Sequence, residues 1–138
     1  GIVGFAAALE ATLAEADDAR LGALRERLLA GLRGLVPDLV VLGDGAPRLS
    51  NTLAVSAAGW RAETLVMALD LAGVAVSSGA ACSSGRVRTS HVLDAMRVRD
   101  ELIHGMIRFS LGWSSCEADI DQALAAMAPA VARLSRAA

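Results

Sequence analysis

The sequence predicts an α/β fold, a single two-layer domain with helices packed on a small, mainly antiparallel sheet. Three observations carry this expectation. Segments with helical hydrophobic spacing alternate with short β-type runs along the chain. Ile107, Phe109 and Leu111 alternate with Met106, Arg108 and Ser110, which is the period of a strand with one face on a core. The 138 residues are 54% apolar and 20% charged, with no repeat, low-complexity tract or interdomain linker. A chain of that size forms one core and buries roughly two-thirds of its unfolded surface.

Taken in order, Ile2, Phe5, Leu9 and Leu13 recur at helical spacing, and Leu21, Leu24, Leu28 and Leu32 repeat the pattern beyond Asp17 and Asp18. This reads as one broken helix or two. Gly31, Gly34 and Pro37 end it, and LVVL at 39–42 is a β-type run closed by Gly43-Asp44-Gly45. TLAVS at 52–56 predicts a second strand. Ala62, Leu65, Val66, Leu69 and Ala72 form a helical face that stops at Gly73, and VAVS at 74–77 returns the chain to the sheet. After the 106–111 strand, Ile120, Leu124, Met127, Val131 and Leu134 line the last helix, with acids at its start and arginines at its end as the helix dipole favours. Ser114 and Glu117 have capping-box spacing, and Pro129 is expected to bend this helix.

A formal charge of −2 and a pI near 5.6 leave no basic footprint, so neither nucleic acid nor an anionic membrane is expected as a main partner. The apolar start lacks a basic leader and is interrupted by Glu10, Glu15, Asp17 and Asp18, which is unlike a signal peptide or a membrane span. Two cysteines, Cys82 and Cys116, without paired metal-ligand spacing, suggest a reducing cytoplasm and no metal site. All 13 basic residues are Arg, so no side-chain amine exists for Schiff-base chemistry. Because the chain begins at Gly1 and not at Met, a processed or cut piece of a longer protein is expected.

From Ser77 to Ser90 the sequence SSGAACSSGRVRTS has almost no large apolar side chain to anchor it, so a mobile loop is expected with Cys82 at its centre. A lone cysteine is most often a small buried hydrophobe. A thiol on a flexible arm instead suits a reaction in which one sulfur receives a group at one place and delivers it at another.

SSGAACSSG, followed by SHVLDAMRV, DELIHGMIRFSLG and CEADID, resembles the C-terminal part of NifS/IscS-type cysteine desulfurases, within the class V aminotransferase group. The resemblance runs from about Gly1 to Leu134, and its strongest elements are the Cys82 segment and the IRFSLG strand. It implies that residues 1–138 form the C-terminal small domain of a pyridoxal-phosphate-dependent fold type I transferase. In such enzymes the cofactor activates L-cysteine, a loop cysteine takes the substrate sulfur as a persulfide, and alanine leaves.

By that resemblance Cys82 is the catalytic nucleophile and sulfur carrier, and Arg108 binds the substrate α-carboxylate, for which a planar guanidinium is suited. The implied partners are a large pyridoxal-phosphate-binding domain, an iron-sulfur scaffold or other sulfur-acceptor protein, and a second copy in a homodimer. The cofactor lysine, phosphate loop, pyridine-pairing aspartate and ring-stacking histidine of the family have no counterpart here, so the chain alone is expected to bind no cofactor and to be inactive. His91 and His104 do not match the family histidine and are assigned structural or surface roles. Arg86 and Arg88 are read as solvated charges, Cys116 as a cap or half-buried residue, and Asn51 as a turn former. Two other readings stay open: a non-enzymatic sulfur-carrier module, against which Arg108 argues, and the small domain of another class V relative such as a selenocysteine lyase.

Overall fold

The structure, a computed structural model, describes residues 1–14, 17–78 and 90–135. The predicted two-layer α/β architecture is present. Helix α1 (Ile2–Ala14) is followed by α2 (Asp18–Leu35), β1 (Val40–Val41), β2 (Thr52–Ser56), α3 (Ala62–Leu71) and β3 (Ser77–Ser78). The short helices α4 (His91–Ala95) and α5 (Asp100–Ile103) then lead into β4 (Ile107–Ser110) and the long α6 (Glu117–Ser135).

The four strands form an antiparallel sheet in the order β1-β2-β4-β3. In β4 the burial alternates as the sequence predicts, with Ile107 and Phe109 inward and Arg108 and Ser110 outward. Leu53 and Val55 of β2 pair with Phe109 and Ile107. All four meet Leu24, Leu28 and Leu32 of α2, Leu65 and Leu69 of α3, and Ile120 and Met127 of α6 in the main core. The helical periodicities read for α2, α3 and α6 therefore point at one sheet face. The other face is covered only in part, by a smaller cluster of Leu42, Leu93 and Met106 with Val40, Ala54, Val98 and Ile103 packed on it.

The N-terminal pattern resolves into two helices. Asp17 caps α2, its side chain accepting from the Arg20 backbone N–H at 3.2 Å. Helix α3 ends in a Schellman motif: Gly73, at φ +77°, donates its N–H to Asp70 C=O at 2.9 Å, and Val74 donates to Leu69 C=O at 2.9 Å. That motif consumes Val74, so β3 begins at Ser77 and not at the predicted residue 74. Strand β1 is likewise shorter than LVVL, because the Leu39 N–H turns back onto Val36 C=O at 3.1 Å.

The start of α6 corrects the predicted Ser114–Glu117 box. Residues 112–115 are held as a turn, in which Ser115 N–H donates to Gly112 C=O at 3.0 Å and Gly112 N–H donates to Ser115 Oγ at 2.9 Å. Cys116 therefore stands at the N-cap position, and Asp119 accepts its backbone N–H at 2.9 Å, which is the reciprocal half of a capping box displaced by two residues. Helix α6 runs on through Pro129. The missing N–H there leaves a carbonyl on an exposed stretch of the helix, where water can satisfy it.

Candidate functional site

Arg108 stands on the partly covered face of the sheet. Its register partners are Ala54 on β2 and Ser77 on β3, so the side chains of Ala54, Arg108 and Ser77 form one cross-strand row. Ala54 belongs to the apolar cluster under α4 and α5, whereas Ser77 is exposed at the sheet edge. The guanidinium thus lies at the boundary between an apolar wall and an open edge. Among the described residues the Arg108 side chain has no ion-pair or hydrogen-bond partner. Most other arginines among the described residues are engaged within the fold, Arg61, Arg97 and Arg133 excepted. Arg20 donates to Asp17 Oδ2 at 2.6 Å and to the carbonyls of Ser115 and Trp113 at 2.5 and 2.8 Å. Arg25 donates to Leu49 C=O at 2.6 Å. Arg27 of α2 bridges Glu117 and Asp121 of α6 at 3.0 and 2.7 Å. The hydrogen bond to Asp121, its charge and then that of Glu117 hold the Arg27 guanidinium above its usual range.

The segment that carries β4 is fixed from both sides. Ser56, fully buried, donates its hydroxyl to Leu102 C=O at 2.7 Å, tying the end of α5 to β2. Ala62 N–H donates to His104 C=O at 2.8 Å. At Gly105 a Cβ would meet Trp60 Cβ at 2.6 Å, Ser56 Oγ at 2.9 Å and Trp60 C=O at 3.0 Å, so only glycine allows this approach. The strand bearing Arg108 therefore leaves a rigid junction.

Cys82, Arg86 and Arg88 lie outside the described residues. His91 and His104 are both exposed, at the start of α4 and just beyond α5. Cys116 is an exposed free thiol in the cap of α6. Asn51 is in a turn, as read from its sequence context, where its carbonyl accepts from Leu111 N–H at 2.8 Å. Ser77 was not legible as a neighbour of Arg108, because the signal for it is a register pairing between distant strands. No group of three or more metal-ligating side chains occurs among the described residues, and no described helix is long and apolar enough to cross a membrane.

Pyridoxal phosphate, the cofactor implied by the resemblance, is not matched by the described residues. The chain contains no lysine. A cavity of about 180 Å³ on the helical side of the sheet, between Gly73–Ala75, the end of β4 and the start of α6, is lined by Asp119 and by no basic side chain. It offers no cation to a phosphate group, and it lies across the sheet from Arg108.

Comparison with known proteins accords with this fold and sequence pattern. Residues 1–123 match the aminotransferase class-V family. A cysteine desulfurase of Cereibacter sphaeroides is 45% identical over 134 residues, which are 97% of this chain and 34% of that protein. The cysteine desulfurase NifS of Azotobacter vinelandii is 37% identical over 96% of this chain and 34% of its own length. A solved NifS-like protein superposes with a TM-score of 0.81 at 31% identity, covering 96% of this chain and 33% of that one. The chain spans about a third of the length of these relatives. On the match over residues 1–123, the chain belongs to the class V aminotransferase family.

Proposed function

We propose that this chain is the C-terminal small domain, the sulfur-transfer portion, of a pyridoxal-phosphate-dependent cysteine desulfurase acting in the cytoplasm. Two of its residues have assigned roles. Arg108 holds the α-carboxylate of L-cysteine through two parallel hydrogen bonds, and Cys82 accepts the substrate sulfur as a persulfide and delivers it to an iron-sulfur scaffold or another acceptor protein. The overall change takes L-cysteine and one thiol to L-alanine and one persulfide, moves a single sulfur atom, and needs no external oxidant or reductant. A large domain, joined or separate, binds the cofactor that activates the amino acid, and the complete enzyme is a homodimer.

The observation that carries this reading is the outward-facing Arg108 side chain, without a partner among the described residues, in a chain of this family. A planar guanidinium open to solvent beside an apolar wall is suited to a carboxylate that arrives from outside. The absence of any lysine supports the division of labour, since the imine link to the cofactor must come from elsewhere.

The test compares the 138-residue chain with a complete protein that contains it, each given pyridoxal phosphate and L-cysteine. Only the complete protein should release alanine. In it, Cys82→Ala should abolish persulfide formation. Arg108→Ala should lower kcat/KM by roughly 10- to 100-fold, the loss of one charge-assisted pair. Alanine release by the 138-residue chain alone would overturn the reading. Labelling of Cys82 only when a separate desulfurase is supplied, with Arg108→Ala harmless, would identify a sulfur carrier instead.

A further inference from the structure

Resting on the carboxylate role of Arg108, we propose that Ser77 is a positioning residue for the same substrate, donating its hydroxyl hydrogen to one oxygen of the carboxylate held by the guanidinium. The antiparallel register sets Ser77 directly opposite Arg108. Side chains at such positions share a face with Cβ atoms about 5 Å apart. Both residues are exposed, and neither side chain has a partner among the described residues. The opposite neighbour, Ala54, is apolar and packed under α4 and α5. Ser77 is therefore the polar side chain of Arg108's own cross-strand row.

The chemistry is complementary. A carboxylate has about four acceptor sites, and a guanidinium fork fills two. A hydroxyl to one side then fills a third, while the apolar wall on the other side offers none. This asymmetry fixes the rotation of the carboxylate about its bond to the α-carbon, and so the direction in which the rest of the amino acid leaves the site. Ser78, the next residue, pairs with Ile107 and faces the helical layer, so it cannot substitute.

The test uses the complete, cofactor-loaded enzyme and equilibrium calorimetry with two probes that carry no sulfur, L-alanine and ethylamine. The second lacks the carboxylate. Ser77→Ala should weaken L-alanine about tenfold and leave ethylamine within twofold, and Ser77→Thr should restore L-alanine binding. Equal losses for both probes, or no loss for either, would overturn the role of Ser77. Arg108→Ala measured beside it separates the two readings. If that variant weakens L-alanine but not ethylamine while Ser77→Ala does neither, only the Ser77 assignment falls. If Arg108→Ala leaves L-alanine binding intact, the carboxylate site falls and Ser77 with it.

Discussion

Replacing Arg97 by glycine should stabilise the domain, and the expected size follows from two helix ends of the same design. Helix α4, like α3, closes with a Schellman motif: Arg97 N–H donates to Asp94 C=O at 2.9 Å and Val98 N–H to Leu93 C=O at 3.1 Å. At α3 the left-handed position is filled by Gly73, at φ +77°; at α4 it is filled by Arg97, at φ +53°. A residue with a Cβ pays about 1–2 kcal/mol for that conformation. Glycine avoids it and loses about 0.5–1 kcal/mol through the greater freedom of its unfolded chain. The Arg97 side chain is exposed and without a partner among the described residues, so nothing else is removed. Arg97→Gly should gain about 0.5–1 kcal/mol and raise Tm by about 2–4 °C. Gly73→Ala should lose about as much, since its Cβ would meet only the flexible Gln122 amide, at 3.3 Å. Urea denaturation of the three proteins, with unchanged m-values, measures both. A neutral or destabilised Arg97→Gly beside a destabilised Gly73→Ala would refute the left-handed assignment at the end of α4.

Gly105→Ala should destabilise by about 2–3 kcal/mol, read as a lowered urea midpoint, because its Cβ is driven against Trp60 backbone and Cβ atoms that no side-chain rotation can move. The Arg27 network should be insensitive to pH through neutrality: a guanidinium held above its usual range in the folded state keeps its full contribution below that range and loses it only above. The Tm difference between wild type and Arg27→Gln should therefore be the same at pH 7 and pH 10, and should shrink with added salt. Arg20→Ala frees the carbonyls of Trp113 and Ser115 and should cost about 1 kcal/mol, with faster amide exchange across residues 112–116.

The parts of the fold that were legible in the sequence are those whose cause is local and periodic. Alternation alone put Arg108 on the opposite face from Ile107 and Phe109, and the stripe ending at Gly73 located α3 and its cap. Helices α4 and α5 were not legible, because four or five residues are too few to show a period, and Arg97 supplies no glycine signal where α4 ends. The cap of α6 was misplaced because the 112–115 turn depends on Arg20, more than ninety residues away in sequence. The same limit applies at the site. The character of Arg108 was readable, whereas its neighbours Ala54 and Ser77 come from strand pairing, and the partial cover by Leu93 and Met106 comes from helices without a sequence signature.

Helix α1 poses the converse problem, a strong pattern without a place in the core. Ile2, Val3, Phe5 and Leu13 are 89%, 83%, 72% and 70% exposed, and none of the described α1 side chains, residues 2–13, belongs to either apolar cluster. Thirteen residues lie at the margin of what holds a helix in water without packing, so its conformation depends on what covers it. If the covering surface is another copy of this chain, helicity and association are linked, and dilution must weaken both. Sedimentation of the 138-residue chain should then show concentration-dependent association that Phe5→Glu with Leu13→Glu abolishes. Amide exchange of residues 2–13 should slow with concentration in the wild type and stay fast in the variant. The urea midpoint of the variant should match that of the dilute wild type, because the core of α2, α3, α6 and the sheet is closed without α1. A monomer at high concentration with protected α1 amides would refute the linkage.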